Sequence, residues 1–482
     1  MRPRLELLEP ALVERVLDEA FQLLCAPGVR VQSAAACELL SAHGARVADG
    51  VARIPEELAH RSVSSAPREF WLHDRTGKPS IHYGGDAVHF APGSSCLHVL
   101  DAETFEHRPA ISADLVRLVQ VAESLPQYAA QSTAVVCDDV PETIKDFYRL
   151  FLVLWHSEKP VVTGAFGLEN LPFMIDMLAA EAGGQQGLRA KPRAVFDVCP
   201  SPPLTWSEFA GQSLVELART GVPAEIVAMP VAGAAAPVTL AGSVAQHAAE
   251  CLSGIVIHQL AQPGAPVVWG GAPSILDMRT ATTPMGAVET AMLNAACAQV
   301  GKYLGLPTHG YLVGGDSKIA DAQAGMESGM AAVLAALAGI NMVSGAGMLD
   351  FLACHSAEKL VMDAEAIGSA LRLVQGIEAH GASLAVEMFR AAEHQTDFLK
   401  LPETRRLFRS EQFLPSPVTD RESLSAWVES GGKDMLARSR ERVRDLVADY
   451  TRPAIPGDVE KDLLAIVRER AASAGLHTLP GI

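Results

Sequence analysis

The segment Ala224-Glu-Ile-Val-Ala-Met-Pro-Val231 is an apolar run of strand length, and a long Ala-rich stretch with helical spacing follows it. The same unit recurs through the middle of the chain, at residues 160–166, 193–200, 265–272, 307–314 and 341–347. Short buried strands that alternate with helices predict βα units and a parallel sheet. This many units predict a closed TIM (β/α)8 barrel, in which function sits at the carboxyl ends of the strands.

The chain has 482 residues, whereas a bare barrel needs about 250 residues, so other parts must flank it. We expect an N-terminal α+β cap over residues 1–108, the barrel domain over 109–400 and a C-terminal helical extension over 401–482. The first barrel strand is expected within residues 128–137. The eighth strand is expected within residues 380–392, where no strand pattern is readable.

The net charge of −17 disfavours nucleic acid as a partner, because nucleic-acid-binding surfaces concentrate Lys and Arg. The eight cysteines are widely spread and form no CxxC pair, which is typical of buried, reduced thiols. The start of the chain lacks the apolar core of a signal peptide, and no long uncharged apolar run predicts a membrane span. We therefore expect a cytoplasmic protein.

Five N-terminal histidines recur about every nine residues, at positions 73, 82, 89, 98 and 107. This spacing suits successive hairpin strands better than a ligand helix, so no metal site is predicted. The turns at residues 74–77 and 84–86 fit such hairpins. The glycines of the chain form neither a P-loop nor a dinucleotide fingerprint, since the segment 233–242 lacks both the lysine and the GxGxxG spacing.

Chemically capable side chains follow several of the predicted strands: Trp206, Trp269, His309 and Tyr311. Each aromatic residue alone is more often a packing residue, but several at one barrel face favour a site. The densest polar stretch, residues 314–327, stands where a strand becomes a helix. It could equally be a helix cap with solvated charges.

Within this stretch Asp316 is expected to cap the helix, and Gln323 and Glu327, four residues apart, should share one helical face. Lys318 is a poor candidate for a Schiff-base lysine, because such lysines project into a desolvated pocket rather than from a polar helix start. We therefore expect no covalent role for Lys318.

Several segments taken in order resemble one known family. They are Trp71-Leu-His-Asp-Arg, Gly233-Ala-Ala-Ala-Pro-Val-Thr-Leu-Ala-Gly, Ala249-Glu-Cys-Leu-Ser-Gly-Ile-Val, Asp316-Ser-Lys-Ile-Ala-Asp-Ala-Gln-Ala-Gly-Met-Glu and Phe413-Leu-Pro-Ser-Pro. Together they are similar to the trimethylamine methyltransferase family, in the MttB-like superfamily of corrinoid-dependent methyltransferases. The resemblance covers nearly the whole chain.

The resemblance implies a TIM barrel that passes one methyl group from an amine to the cob(I)alamin of a small partner corrinoid protein, with no cofactor bound tightly by the barrel itself. The trimethylamine enzyme of the family carries pyrrolysine, and only standard residues occur here. This departure favours the non-pyrrolysine branch, whose members demethylate quaternary amines such as glycine betaine, proline betaine, carnitine or γ-butyrobetaine.

Physical chemistry favours the same substrate class, because a quaternary ammonium already carries its charge and leaves as a neutral amine without an acid catalyst. Such cations are bound by aromatic faces and carboxylates. We predict a cage of Trp206, Trp269 and Tyr311, with Asp316 or Glu289 as counter-charge. The predicted donors for a substrate carboxylate are His309, Lys318 and Arg279. The remaining predicted contacts are the polar neighbours Gln323 and Glu327.

Two other functions stay open: a methyltransferase that uses a tertiary amine or another methyl donor, and a ligand-binding barrel without turnover. The charged, amphipathic C-terminal helices should pack on the outside of the barrel or form an oligomer contact, and we expect a homo-oligomer. The tail segment 398–409 resembles a stretch of the family in which we expect histidines near Leu401 or Glu403. This chain has none there, so we expect its substrate pocket to differ from that of better-known members.

Overall fold

The computed structural model describes residues 2–392 and 397–482, which form an α/β fold. Its helices are α1 (Pro10–Cys25), α2 (Ala34–Ala42), α3 (Glu56–Ser65), α4 (Ser112–Ser124), α5 (Lys145–His156), α6 (Leu171–Glu181), α7 (Gln185–Ala190), α8 (Glu208–Thr220), α9 (Leu240–Ala261), α10 (Val288–Tyr303), α11 (Ala322–Ala338), α12 (Ala357–Gln375), α13 (Val386–Ala392), α14 (Pro402–Glu411), α15 (Leu424–Glu429), α16 (Met435–Asp449) and α17 (Gly457–Ser473). Short 3-10 turns occur at Glu142–Ile144 and Phe398–Lys400.

The strands are short, as the apolar runs predict. They are β1 (Val29–Val31), β2 (Arg46–Ala48), β3 (Val51–Arg53), β4 (Phe70–His73), β5 (Pro79–Tyr83), β6 (His89–Pro92), β7 (His98–Leu100), β8 (His107–Pro109), β9 (Gln131–Ser132), β10 (Val161–Thr163), β11 (Ala194–Val198), β12 (Thr205–Trp206), β13 (Ala224–Ala228), β14 (Val231–Ala232), β15 (Val267–Gly271), β16 (Ser274–Ile275), β17 (His309–Tyr311), β18 (Met342–Ala346), β19 (Met348–Leu349) and β20 (Cys354–His355).

Two parallel sheets form the centre of the fold. One has five strands in the order β9-β10-β11-β13-β15, and the other has three in the order β17-β18-β6. A single parallel bridge between Trp269 and Thr308 joins β15 to the start of β17. At the opposite edges, the amide of Ala129 donates to the carbonyl of Phe90 at 3.0 Å. The predicted α/β class and parallel pairing are confirmed.

The expected eighth strand within residues 380–392 is wrong, because α13 occupies Val386–Ala392. The hairpin expected at residues 84–86 is also wrong: β5 pairs with β4, whereas β6 pairs in parallel with β18, with His89 opposite Met342. Phe90 and Ala91 are both buried, as befits a strand that is covered on both faces of a parallel sheet. The domain boundary at residue 108 stays a prediction.

The β4–β5 hairpin closes the amino-terminal side of the two sheets. Its buried Leu72, Ile81 and Tyr83 pack with Val162 of β10 and Val195 of β11 in one apolar cluster. The turn that joins the two strands lies where residues 74–77 predict it, since the amide of Gly77 donates to the carbonyl of Asp74 at 2.9 Å. The hairpin therefore covers the amino ends of the central strands.

Helices surround the two sheets and form a second layer. α9 is long and apolar enough to cross a membrane by length and composition, but 83% of its apolar window is buried inside the fold, as in the core helix of a globular protein. In the C-terminal part, α16 packs on α4 and α12, and α17 packs on α5 and α6. The expected packing of these helices on the outside is thus observed.

Leu72→Ala should lower the free energy of unfolding by about 2 to 5 kcal/mol, because it leaves a cavity where the hairpin meets the sheets. Chemical denaturation followed by circular dichroism measures this change. Trp71→Ala is the matched control, since Trp71 is its neighbour in β4 and is 43% exposed. An equal loss in both variants would contradict the role of the hairpin as a packed closure.

Candidate active site

Two acidic residues face each other on neighbouring strands inside the sheets. Asp197 of β11 and Glu225 of β13 are partners in the parallel register. Asp197 lies two residues after the inward-facing Val195, so both point to the same side of the strand. Glu225 is fully buried. One oxygen of each carboxyl group has no hydrogen-bond partner among the described residues.

Burial determines the charge of this pair. It raises the pKa of Asp197 from 3.8 to about 6, although a hydrogen bond with Glu225 and the charge of Arg149 oppose the shift. Burial, together with the nearby Asp197 carboxylate, raises the pKa of Glu225 well above its ordinary value. Near neutral pH the pair therefore carries one negative charge, on Asp197, and Glu225 keeps its proton.

Tyr83 holds Glu225 by a hydrogen bond, and the uncharged His309 and Ser344 lie beside it. The Tyr83 hydroxyl, from the closing hairpin, donates to Oε1 of Glu225 at 2.7 Å. His309 Nε2 lies 3.9 Å from Oε2 of Glu225 and 3.1 Å from the Ser344 hydroxyl. Burial lowers the pKa of His309 to about 3, so the imidazole is neutral. The floor of the site is thus polar but contributes no positive charge.

Tyr311 and Arg149 lie next to this floor, towards the carboxyl ends of the strands. The Tyr311 hydroxyl accepts from the amide of Ser94 at 2.6 Å, and its ring meets that of His309 edge to face, with centroids 6.1 Å apart. The Arg149 guanidinium donates to the Gly164 carbonyl at 3.0 Å and stacks 4.2 Å from the centroid of Phe166. Aromatic and cationic groups thus line the way to Asp197.

The loop after β10 presents Phe166 at the opening. The carboxylate of Asp146 accepts from the Phe166 amide at 2.6 Å and from Nδ2 of Asn170 at 2.6 Å. These bonds fix the backbone, while the Phe166 side chain stays 49% exposed. An exposed aromatic side chain therefore lies beyond the carboxyl end of β10, on a loop whose backbone Asp146 holds.

The two tryptophans of the predicted cage lie elsewhere. Trp206 is fully buried and donates from Nε1 to the Ser253 hydroxyl of α9 at 2.9 Å. Trp269 is 1% exposed and donates to the Cys297 carbonyl of α10 at 2.9 Å. Both indoles fill the space between the sheets and the outer helices, so the structure does not assemble the predicted three-residue cage.

His309 and Tyr311, in contrast, lie in the interior beside the acidic pair. Asp316, Gln323 and Glu327 lie together at a neighbouring loop. Nε2 of Gln323 donates to Glu327 Oε1 at 2.7 Å, so the predicted shared helical face is observed. Glu327 Oε2 accepts from the amide of Asp316 at 2.8 Å.

The prediction that Asp316 caps α11 is wrong, because that helix begins six residues later and Asp321 caps it. Asp316 accepts instead from the amides of Met285 and Gly286, at 2.6 and 3.1 Å, ahead of α10. Burial raises its pKa. Asp316 and Glu327 thus join two loops at the carboxyl ends of the strands.

The other predicted contacts lie on the surface. Lys318 is 54% exposed and holds its Nζ 3.8 Å above the ring of Phe351. Arg279 is 88% exposed and pairs with Asp277 at 2.6 Å in its own loop. Glu289 is exposed on the first turn of α10. None of these three is among the residues that contact the acidic pair.

Sequence reasoning missed Asp197, Glu225 and Arg149. A signal was present for the acidic pair, because a carboxylate inside a short apolar strand run is rarely buried without a purpose. Side chains alternate between the two faces of β15. Because Val268 faces the hairpin, its neighbour Trp269 must face outwards. For Arg149 no such signal exists, since it lies within the helical pattern of α5.

No group of three or more His, Cys, Asp or Glu side chains in the described part of the chain is arranged to hold a metal ion. The five N-terminal histidines lie one each on β4 to β8, as their spacing predicts.

Comparisons with known proteins agree on one family. The model of the family described as trimethylamine methyltransferase (MTTB) matches residues 1–475. A trimethylamine methyltransferase of Desulfitobacterium hafniense is 31% identical over 93% of this chain and 90% of its own length. One from Methanosarcina mazei is 33% identical over 92% and 91%. A glycine betaine methyltransferase of Desulfitobacterium hafniense is 26% identical over 98% of both chains.

Among solved structures, the monomethylamine methyltransferase of Methanosarcina barkeri aligns with 91% of this chain and 87% of its own, at 10% identity and a TM-score of 0.48. The family model and the named relatives show that this α/β protein is a methyltransferase. The chain belongs to the trimethylamine methyltransferase (MTTB) family.

Trp269→Ala should lower the free energy of unfolding by about 3 to 5 kcal/mol, because the indole is wholly buried against α10. Thermal and chemical denaturation measure the loss. Trp427→Ala, on the peripheral helix α15, serves as control and should cost less. A stable Trp269→Ala variant with weakened substrate binding would instead restore Trp269 to the site.

The raised pKa of Asp197 predicts a pH dependence of stability. The folded protein keeps this proton up to about pH 6, whereas the unfolded chain loses it near 3.8, so the folded state binds more protons in between. The free energy of unfolding should therefore fall as the pH rises through this window. In Asp197→Asn the fall should be shallower, as urea unfolding at several pH values can show. Parallel curves would contradict an elevated pKa.

Proposed function

We propose that this methyltransferase moves a methyl group from a quaternary amine, with a betaine as the best candidate, to cob(I)alamin of a partner corrinoid protein. The observation that carries the proposal is the placement of the Asp197 carboxyl group beside the buried Arg149 and opposite the fully buried Glu225. A betaine has one positive and one negative charge, so both of its charged groups can be matched there. The relative named as a glycine betaine methyltransferase supports the same substrate class.

We further propose that the two parallel sheets form one closed (β/α)8 barrel. Eight strands take part: β6, β9, β10, β11, β13, β15, β17 and β18. The Trp269–Thr308 bridge links the sheets on one side, and the Ala129–Phe90 hydrogen bond and the Cys96–Val135 bridge link them on the other. In a closed barrel the acidic pair lies inside, below an opening at the carboxyl ends.

Within this site the chain's own residues bind and orient the donor. Asp197 neutralises the ammonium group, and the faces of Tyr311 and Phe166 contact its methyl groups. Protonated Glu225, held by Tyr83, cannot add a second negative charge. No residue needs to donate a proton, because the carbon–nitrogen bond breaks with its electrons moving to nitrogen, and a neutral tertiary amine leaves. Orientation and exclusion of water are then the main catalytic contributions.

When bound, cob(I)alamin supplies the cobalt nucleophile to which the methyl carbon forms its new bond. Apolar side chains on the loops after β10, β13, β14 and β16 fit contact with a partner that carries such a macrocycle. Phe166 is 49% exposed, Met229 37%, Val238 68% and Met278 70%. Exposed apolar patches of this kind are typical of sites that meet another protein.

A tertiary amine is the second candidate donor, because the relatives named trimethylamine methyltransferases share more identity with this chain than the one named for glycine betaine does. Trimethylammonium would use the Asp197 carboxylate as the acceptor of its N–H. It has no negative group for Arg149. A barrel that binds ligand without turnover remains the third candidate, and the same experiment distinguishes all three.

The test combines the purified protein with reduced corrinoid protein and a panel of betaines, carnitine and trimethylamine, while absorbance follows the loss of cob(I)alamin. Consumption with one or more quaternary amines and none with trimethylamine supports the proposal. Consumption with trimethylamine alone assigns the second candidate. Tight binding of an amine without consumption, with a corrinoid protein that is competent in a control reaction, assigns the third.

Asp197→Asn should lower kcat/KM for the quaternary amine at least about 30-fold, which corresponds to about 2 kcal/mol or more for the loss of a buried counter-charge. The same absorbance assay measures it. Glu460→Gln is the control, because Glu460 pairs with Arg452 at 3.1 Å on α17, in the outer layer of helices. Unchanged kinetics in Asp197→Asn would remove the acidic pair from the site.

A further inference from the structure

A groove interrupts the layer of helices on the side of α6 and α8. Its volume is about 530 Å³. Leu168, Leu171 and Ile175 form its apolar part, and Glu208 and Glu216 lie along α8. No lysine or arginine lies among the described residues that line it. The groove is therefore apolar at its base and acidic at its rim.

The other neighbours in this layer pack against each other directly. These pairs are α4 with α5, α5 with α6, α8 with α9, α9 with α10, α10 with α11, α11 with α12 and α12 with α4. Among the helices that the structure describes, α6 and α8 are the neighbours in this layer that lack such packing, and the groove lies between them. A gap of this shape, with an apolar base, suits an amphipathic helix from elsewhere.

The chain contains a segment of complementary character at residues 398–409, the 3-10 turn and most of α14. It carries four cationic residues and one carboxylate, in a chain whose net charge is −17. No residue of α14 is buried. Leu399 is 78% exposed and Phe408 39%. A short helix that buries no face gains little stability from its own molecule.

We propose that segment 398–409 of one copy docks in the α6–α8 groove of a second copy. Charge complementarity and the apolar residues on both surfaces support this choice of partner. The segment cannot reach its own groove easily, because it is anchored on α12: Arg372 donates to the Glu411 carbonyl at 2.9 Å, and the Phe413 ring packs against Gly368. In the order of the helix layer, α12 lies opposite α6 and α8.

Such an interface joins two different surfaces, so each copy offers both a segment and a groove. Contacts of this kind build a closed ring when the rotation between copies closes, and a longer chain of copies when it does not. Acidic Asp176, exposed at the groove, and the exposed Arg405, Arg406 and Arg409 on α14 would then attract each other across the interface.

The experiment measures the mass of the full-length protein by light scattering after size exclusion. We expect an oligomer for the unaltered protein. The segment variant Leu399→Asp with Phe408→Asp and the groove variant Asp176→Lys with Glu216→Lys should each shift it to monomer. The matched control is Leu424→Asp with Val428→Asp, because these α15 residues are 75% and 59% exposed and lie outside both surfaces. The control should keep the oligomeric mass.

A mixture of the two defective variants distinguishes this segment-in-groove interface from one that joins two identical surfaces. The segment variant retains an intact groove and the groove variant an intact segment, so an equimolar mixture should form dimers although each alone is monomeric. A monomeric unaltered protein at about 100 μM, well above the Kd of a stable interface, would overturn the proposal. So would oligomers that persist in both variants, or a mixture that stays monomeric. None of these readings depends on methyl transfer.

Discussion

The facing of Asp197 and Glu225 across two parallel strands is the constraint around which the site is built. Two ionised carboxylates cannot share a buried position without a large electrostatic cost, so one of them keeps its proton. Tyr83 donates to the protonated partner, Arg149 lies near the ionised one, and neutral His309 completes the floor. The result is one negative charge beside the buried Arg149 cation, in an interior where electrostatic interactions are stronger than in water.

The closing hairpin and the site are therefore one unit. Tyr83 belongs to the same apolar cluster as Leu72 and Ile81, and its hydroxyl is the group that reaches up to Glu225. Packing at the amino-terminal side thus fixes a polar contact deeper in the sheets. At the other side, Asp146 fixes the backbone of Phe166, so that both limits of the site are set by buried residues of neighbouring elements.

The sequence predicts the βα units well, because apolar runs bounded by Gly and Pro are strong local signals. The strands β10, β11, β13, β15, β17 and β18 lie where those runs occur. β6 was not predicted as a sheet strand, since only its pairing with β18 reveals its place and that partner lies far away along the chain. The positions of Trp206 and Trp269 differ from the prediction for a related reason. A position at a strand end does not tell which side of the strand a side chain faces. An even or odd separation from an inward-facing residue such as Val268 or Val195 does tell it.

The pairing of β6 with β18 has a consequence for how the protein is made. Ribosomes release chains from the amino end, and domains fold as their parts emerge. His89 leaves the ribosome early, but its partner Met342 follows only after all the other central strands. The edge of β6 that pairs with β18 therefore stays open until Met342 has emerged, so the sheet β17-β18-β6 is completed late in synthesis.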